Sequence, residues 1–172
     1  MPNIIFKVNN YENFDAIENL INYIMTSSYI ERCGWSGCLV QERGDIAEGV
    51  SNSFWAVKNA FYNTAGQLVQ HIIIGFDDME YITESEACRI AYAVSFFYFY
   101  QGYQIFWGLH FGSDNSESYR HIHFALNTIN TITGERFVAV RNPESLKEYL
   151  SSNFPQMKWK WRIKGSFFQP RY

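Results

Sequence analysis

Three of the four histidines in the chain fall within fourteen residues: His110, His121 and His123. Neutral imidazole is a strong ligand for divalent metals, and three rings converging from neighbouring strands can hold one ion while leaving its other positions open to substrate. A catalytic ion needs that openness, because a saturated coordination sphere has nowhere to take a reactant. A His-x-His pair alone is equally at home as two exposed strand residues. The third histidine, one polar loop away, shifts the balance toward a metal. Tris-imidazole centres serve hydration, oxygen chemistry and phosphodiester chemistry, so the ligands alone do not select the reaction.

The elements that would position these rings can be read from periodicity. Side chains of a strand alternate, so His121, His123, Ala125 and Asn127 share one face and Ile122, Phe124 and Leu126 the other. The second face is wholly apolar and is expected under helices, with the histidines on the open face. Ile105 to Phe111 reads as a strand, Gly112 to Tyr119 as a polar loop, and His121 to Thr131 as a second strand, which brings His110 opposite His121 or His123. Upstream, Ile17, Leu20, Ile21 and Ile24 form one helical stripe. Tyr23 sits at the edge of that stripe, where a ring can lean on the core and present its hydroxyl to a cleft.

Other segments complete the plan. Ile4 to Val8 and Leu68 to Phe76 read as strands, the second being β-branched and central and carrying His71. Arg32 to Gly49, with four glycines and no clear period, reads as loop, and Ser53 to Tyr62 as a short helix. Thr83 and Glu86 have capping-box spacing ahead of a helix that Gly102 ends. Arg136 to Val140 follows a tight turn as a third strand, and Pro143 to Leu150 is a helix with proline in its first turn. The order predicts an α+β fold, an antiparallel sheet of about five strands with helices packed mainly on one face.

Composition sets the outer limits. At 172 residues, 47% hydrophobic and 19% aromatic, the chain is expected to form a single domain over 1–172, and disordered or collagenous classes are excluded. The apolar stretch from Ala91 to Tyr100 is half a membrane span, and the first residues lack a basic region followed by an apolar run, so a cytoplasmic protein without membrane contact is expected. Cys33, Cys38 and Cys88 lack the paired spacing of a zinc ribbon or a disulfide framework. The net charge of −3 is unevenly spread: from Arg136 onward there are eight basic and two acidic residues, before it six basic and fifteen acidic. One face of an acidic protein could therefore meet phosphates.

The stretch Trp107-Gly-Leu-His110-Phe-Gly-Ser-Asp114 through His121-Ile-His123-Phe-Ala-Leu-Asn127 resembles the third motif of relaxases, the mobilization nucleases of the HUH endonuclease superfamily. Gln70-His71-Ile-Ile-Ile-Gly-Phe76, the helix start from Thr83 to Ala87 and the turn Thr133-Gly134 resemble the same family in the same order. Asn22-Tyr23-Ile24-Met25 resembles its first motif, which carries a nucleophilic tyrosine. Gly112 stands where relatives are often acidic, and Asp114 is the nearest substitute.

The resemblance implies a metal-dependent, site-specific and strand-specific nick in DNA. His110, His121 and His123 would hold Mg²⁺ or Mn²⁺, with Zn²⁺ also compatible. Tyr23 would attack one phosphodiester to leave a 5′-phosphotyrosine and a free 3′-hydroxyl; Tyr29 is the rival nucleophile and Tyr11 a distant third. Asn127, Asp114 and His71 would support the ligands. The implied partners are single-stranded DNA at an origin of transfer and accessory proteins there. In the tail, Lys158, Trp159, Lys160, Trp161, Arg162 and Lys164 alternate cation and ring as a single-strand groove does, and equally as a strand with one packed face does. A rolling-circle replication nuclease and a non-catalytic DNA-binding accessory protein are the alternative readings.

Overall fold

The chain is described by a computed structural model over residues 1–8, 11–26, 28–41, 44–76, 82–112, 119–139 and 142–164. Its elements run β1 (Asn3–Lys7), α1 (Ala16–Thr26), β2 (Ile30–Ser36), α2 (Ile46–Ala60), β3 (Val69–Gly75), α3 (Glu84–Tyr100), β4 (Ile105–Phe111), β5 (Arg120–Asn127), α4 (Pro143–Asn153) and β6 (Lys160–Lys164). The described strands form one six-stranded sheet in the order β2-β4-β5-β3-β1-β6, antiparallel throughout except for the β1–β6 pair, which is parallel. The α+β class read from the sequence is the class observed.

The apolar face of β5 is covered as expected. Ile122, Phe124 and Leu126 pack with Ile4, Phe6, Ile72, Ile74, Trp107 and Leu109 beneath α3 and α4. Helices lie on the other face too, which corrects the expectation that they would sit mainly on one. Ile17, Leu20, Ile21 and Ile24 of α1 and Val50 and Phe54 of α2 make a second core with Val69, Phe106 and Ala125. The physical reason is that β3, β4 and β5 are apolar on both faces over much of their length, and a sheet with two apolar faces needs two layers. Burying each of the large residues in the α1 stripe contributes about 1.5–3 kcal/mol.

The glycine-rich stretch is not a loop throughout. Residues 30–36 form the edge strand β2, with Gly34 paired to Trp107. A Cβ on Gly34 would lie 2.7 Å from the Trp107 ring, so this glycine is the space into which an indole packs. α2 begins well before Ser53, because Asp45 caps it by accepting from the amides of Ala47 and Glu48. The capping box at Thr83 and Glu86 is formed. The expected strand from Arg136 is, among the described residues, a single bridge between Ile129 and Arg136. The Arg136 guanidinium instead clamps the turn before β3, donating to the carbonyls of Gln67 and Ala65 and to the side chain of Asn63.

Two positions make this packing testable. α1 crosses β4 so closely that a Cβ on Gly108 would lie 2.4 Å from Cγ2 of Ile24, an atom fixed to a branched Cβ that cannot swing away. Gly108→Ala should therefore lower stability by about 1–3 kcal/mol in urea unfolding. Lys58 of α2 is 0% exposed and donates to Thr128 Oγ1 at 3.2 Å. Burial, reinforced by Arg136, pushes its ammonium down to about 7. The unfolded chain holds this proton up to near 10.5 while the folded chain releases it near 7, so stability should rise with pH across that window. Lys58→Met should flatten the rise in a pH series of denaturation curves and add on the order of 1 kcal/mol at pH 7.

Candidate active site

The three clustered histidines converge because of strand register. His110 of β4 stands directly opposite His121 of β5, and His123, two residues on, faces Gly108. One pleat direction therefore serves all three, and the missing side chain at Gly108 leaves room for Ile24 of α1 beside the His110 ring. Their ligand atoms all lie within 4.8 Å of one another, and among the described residues this is the one such group of His, Cys, Asp or Glu side chains that could hold a metal ion. Ring centroids are 5.4 Å apart for His110 and His121, 4.6 Å for His110 and His123, and 4.8 Å for His121 and His123. Arg120 pins the start of β5 next to His121, gripping both carboxylate oxygens of Glu31 and the carbonyl of Ile82.

Hydrogen-bond polarity settles which nitrogen one ring can offer. His110 Nε2 is 2.9 Å from the carbonyl oxygen of Ile24, which can only accept, so Nε2 carries the hydrogen and Nδ1 keeps the lone pair. His121 Nδ1 faces the Tyr119 carbonyl at 3.4 Å. His123 Nδ1 is 2.9 Å from His71 Nε2, and His71 Nδ1 is 2.8 Å from the hydroxyl of Tyr11. His123 Nε2, buried, has no hydrogen-bond partner among the described residues. Such an atom is expensive unless something ligates it.

The electrostatics suit a metal. Burial pushes His71 down to about 3, with Lys7 and His110 adding to the effect, and it holds His110 below the ordinary imidazole range against the Ile24 hydrogen bond. Burial first, then the neighbouring histidines, holds His123 well below that range. These rings are neutral at physiological pH, and neutral is the state a ligand requires. Three imidazoles meeting at one place fit a divalent ion, which would be held by His110, His121 and His123.

Tyr23 brings a phenol to the same place. It lies on α1, 54% exposed at the edge of the buried stripe, with its ring centroid 5.4 Å from that of His123, 6.4 Å from His71 and 6.5 Å from His110. Next to it opens a cleft of about 460 Å³ lined by Lys7, Tyr11, Asn19, Tyr23 and His71, among others. Tyr11 is pushed up to about 12 by burial and by Tyr23 and so keeps its proton, while burial and Lys164 lower Lys7. Tyr29 stands just before β2 with its ring against Gly112, and its carbonyl accepts from the Phe111 amide.

The remaining sequence candidates divide. His71 is brought to the clustered histidines, its ring centroid 5.2 Å from that of His123. Asn127 shares the face of His123 but lies at the far end of β5, where its amide donates to the Phe54 carbonyl and to Gln104 Oε1. Asp114 lies outside the described residues. The tail is the edge strand β6 paired with β1, and its side chains part by face. Trp159 is buried in the α3–α4 core and is not an open stacking platform, while Trp161 stays 39% exposed and donates to Glu144 of α4. Lys160, Arg162 and Lys164 pair with Asn3, Ile5 and Lys7, which pair in turn with Gly75, Ile73 and His71, and so they point to the histidine face. Sequence reading passed over the bond of Tyr11 with His71 and of the Ile24 carbonyl with His110; these join residues 60 and 86 positions apart, and no local signal marks them.

The family model for the nuclease domain of MobA/VirD2-like relaxases matches residues 23–150, from the exposed tyrosine of α1 through both histidine strands into α4. No curated protein and no solved structure matches the chain. A match over well more than half of 172 residues, enclosing the histidine cluster that could bind a metal, places the chain in the MobA/VirD2-like family of relaxase nuclease domains.

Proposed function

We propose that the chain is a single metal-dependent domain that nicks one strand of DNA at an origin of transfer, with Tyr23 as nucleophile and His110, His121 and His123 as the metal ligands. The observation that carries this reading is the meeting of an exposed phenol with three clustered imidazoles: Tyr23 packs edge-on to His123 while His123 Nε2 stands buried without a partner among the described residues. When bound there, a divalent ion such as Mg²⁺ or Mn²⁺ supplies positive charge to the non-bridging oxygens of one phosphodiester, making its phosphorus a better electrophile.

The chain's own residues do the rest. Tyr23 is held by a helix whose neighbouring residue binds His110, so attacking atom and ligands keep a fixed relation. A phenol is a weak nucleophile at neutral pH, and positioning lowers the barrier. The Tyr23 oxygen bonds to phosphorus, the bond to the 3′-oxygen breaks, and the phenolic hydrogen ends on that 3′-oxygen. A 5′-phosphotyrosine and a 3′-hydroxyl result. One phosphodiester replaces another, so the reverse attack rejoins the strand without an energy source. Duplex geometry would keep the phosphate from bending into the cleft beside Tyr23, which favours a single-stranded substrate. Lys160, Arg162 and Lys164 flank the same face three strands from His123, roughly 14 Å away, within reach of phosphates a few nucleotides along.

Two outcomes follow. With Mn²⁺ and supercoiled plasmid carrying the cognate origin, the chain should give nicked circles and a covalent protein–DNA adduct on denaturing gels. Tyr23→Phe should abolish the adduct and Tyr29→Phe should keep it; the reverse pattern would transfer the role to Tyr29, and no adduct in the wild type would favour a non-catalytic DNA-binding protein. In fluorescence titrations of single-stranded DNA, the triple substitution of Lys160, Arg162 and Lys164 by alanine should weaken binding and flatten its dependence on log salt by about 0.7 for each phosphate that a cation no longer neutralises.

A further inference from the structure

Tyr11 is neither nucleophile nor ligand in the proposed reaction, yet it ends a chain of hydrogen bonds that starts at the partnerless atom of His123. A neutral imidazole carries one hydrogen, on one ring nitrogen or the other, so the links Tyr11–His71 and His71–His123 can be ordered in two ways. In the first, His123 Nδ1–H donates to His71 Nε2 and His71 Nδ1–H donates to the Tyr11 oxygen, which leaves His123 Nε2 with a bare lone pair. In the second every hydrogen moves along: Tyr11 donates to His71, His71 donates to His123, and His123 Nε2 carries a hydrogen that meets no acceptor. A buried N–H without an acceptor is the rarer and costlier defect, and a ring in that state cannot ligate. The first order is therefore the one the site favours, and it needs an acceptor at the end of the chain. A hydroxyl is such an acceptor.

We propose that Tyr11 is a positioning residue of the metal centre: by accepting the Nδ1 hydrogen of His71 it holds His71 and His123 in the tautomers that turn a bare Nε2 of His123 toward the ion. The inference rests on the reading of His123 as a ligand. Three features give it its physical content. His71 is 2% exposed, so the interior offers water little access as a substitute acceptor. Tyr11 reaches it from the segment between β1 and α1, whose backbone is tied in by the Leu68 amide donating to the Tyr11 carbonyl at 2.7 Å. The Tyr11 and His71 rings are nearly perpendicular with centroids 6.0 Å apart, and the hydroxyl stands 2.8 Å from Nδ1. Removing that oxygen leaves a buried N–H at His71 Nδ1, which is relieved when the hydrogen moves to Nε2 and the whole chain reverses.

The test reads the hydrogens directly. In long-range proton–nitrogen NMR spectra of the full chain labelled with ¹⁵N-histidine, the metal-free wild type should carry the hydrogen on Nδ1 of both His71 and His123, and Zn²⁺ should leave that pattern in place. Tyr11→Phe should shift the His71 hydrogen toward Nε2 and weaken Zn²⁺ binding about tenfold, in line with the removal of a hydrogen-bond partner one step behind a ligand. A hydrogen on Nε2 of His71 in the wild type, which needs no substitution to observe, would overturn the proposal, as would unchanged tautomers and Zn²⁺ affinity in Tyr11→Phe. A wild type that takes up no Zn²⁺ would overturn the metal reading of the site instead, and the metal-free spectra would still decide the tautomer chain.

Discussion

The hydrogen bond from His110 Nε2 to the carbonyl of Ile24 joins the two halves of this site. One partner is a candidate ligand on a central strand and the other is backbone of the helix that carries Tyr23. The bond is possible because α1 lies almost against β4 at Gly108, and it dictates which nitrogen of His110 is bare. A single close approach thus sets the distance between phenol and imidazoles, the orientation of one ring, and the depth of the cleft beside them. Hydrophobic burial of the α1 stripe supplies the energy for that docking, and the polar bond supplies its register.

Electrostatics follow from the same geometry. The histidine face is covered by helices over β4 and β5 and more open toward β1 and β6, so it grades from a dry floor to a wet, cationic margin. At the floor, burial keeps the imidazoles uncharged. At the margin, Lys7 and Lys164 stand side by side on paired strands, and Lys164 adds to burial in raising the cost of charge on Lys7. An anionic strand laid from margin to floor would relieve repulsion at one end and meet the bare nitrogens at the other.

Much of this was readable from residue order, and the failures have common causes. Period-two alternation in His121-Ile-His123-Phe-Ala gave the face of each side chain correctly, and the third histidine one loop away gave the pairing, since strand register is a local rule. The stripe on α1 gave the place of Tyr23 for the same reason. What escaped were features decided by partners distant in sequence. Gly34 reads as loop because the indole that fills its space is at position 107. The second helical layer escaped because the apolar character of Val69, Phe106 and Ala125 is scattered over three strands. Whether Trp159 and Trp161 stack bases or pack on a face stayed open in the sequence, because only the pairing with β1 reveals which way that segment turns.

That parallel pairing has a further meaning for how the molecule comes into being. β6 hydrogen-bonds to β1, so the cationic edge joins the two extremities of the described chain, with Lys160 beside Asn3. The matched family span of 23–150 contains neither strand. Every histidine of the cluster precedes residue 160 in the chain, so during synthesis the cationic edge strand is the last described element to be made. A chain ending short of β6 would keep the clustered histidines and Tyr23 and lack the cationic edge beside β1.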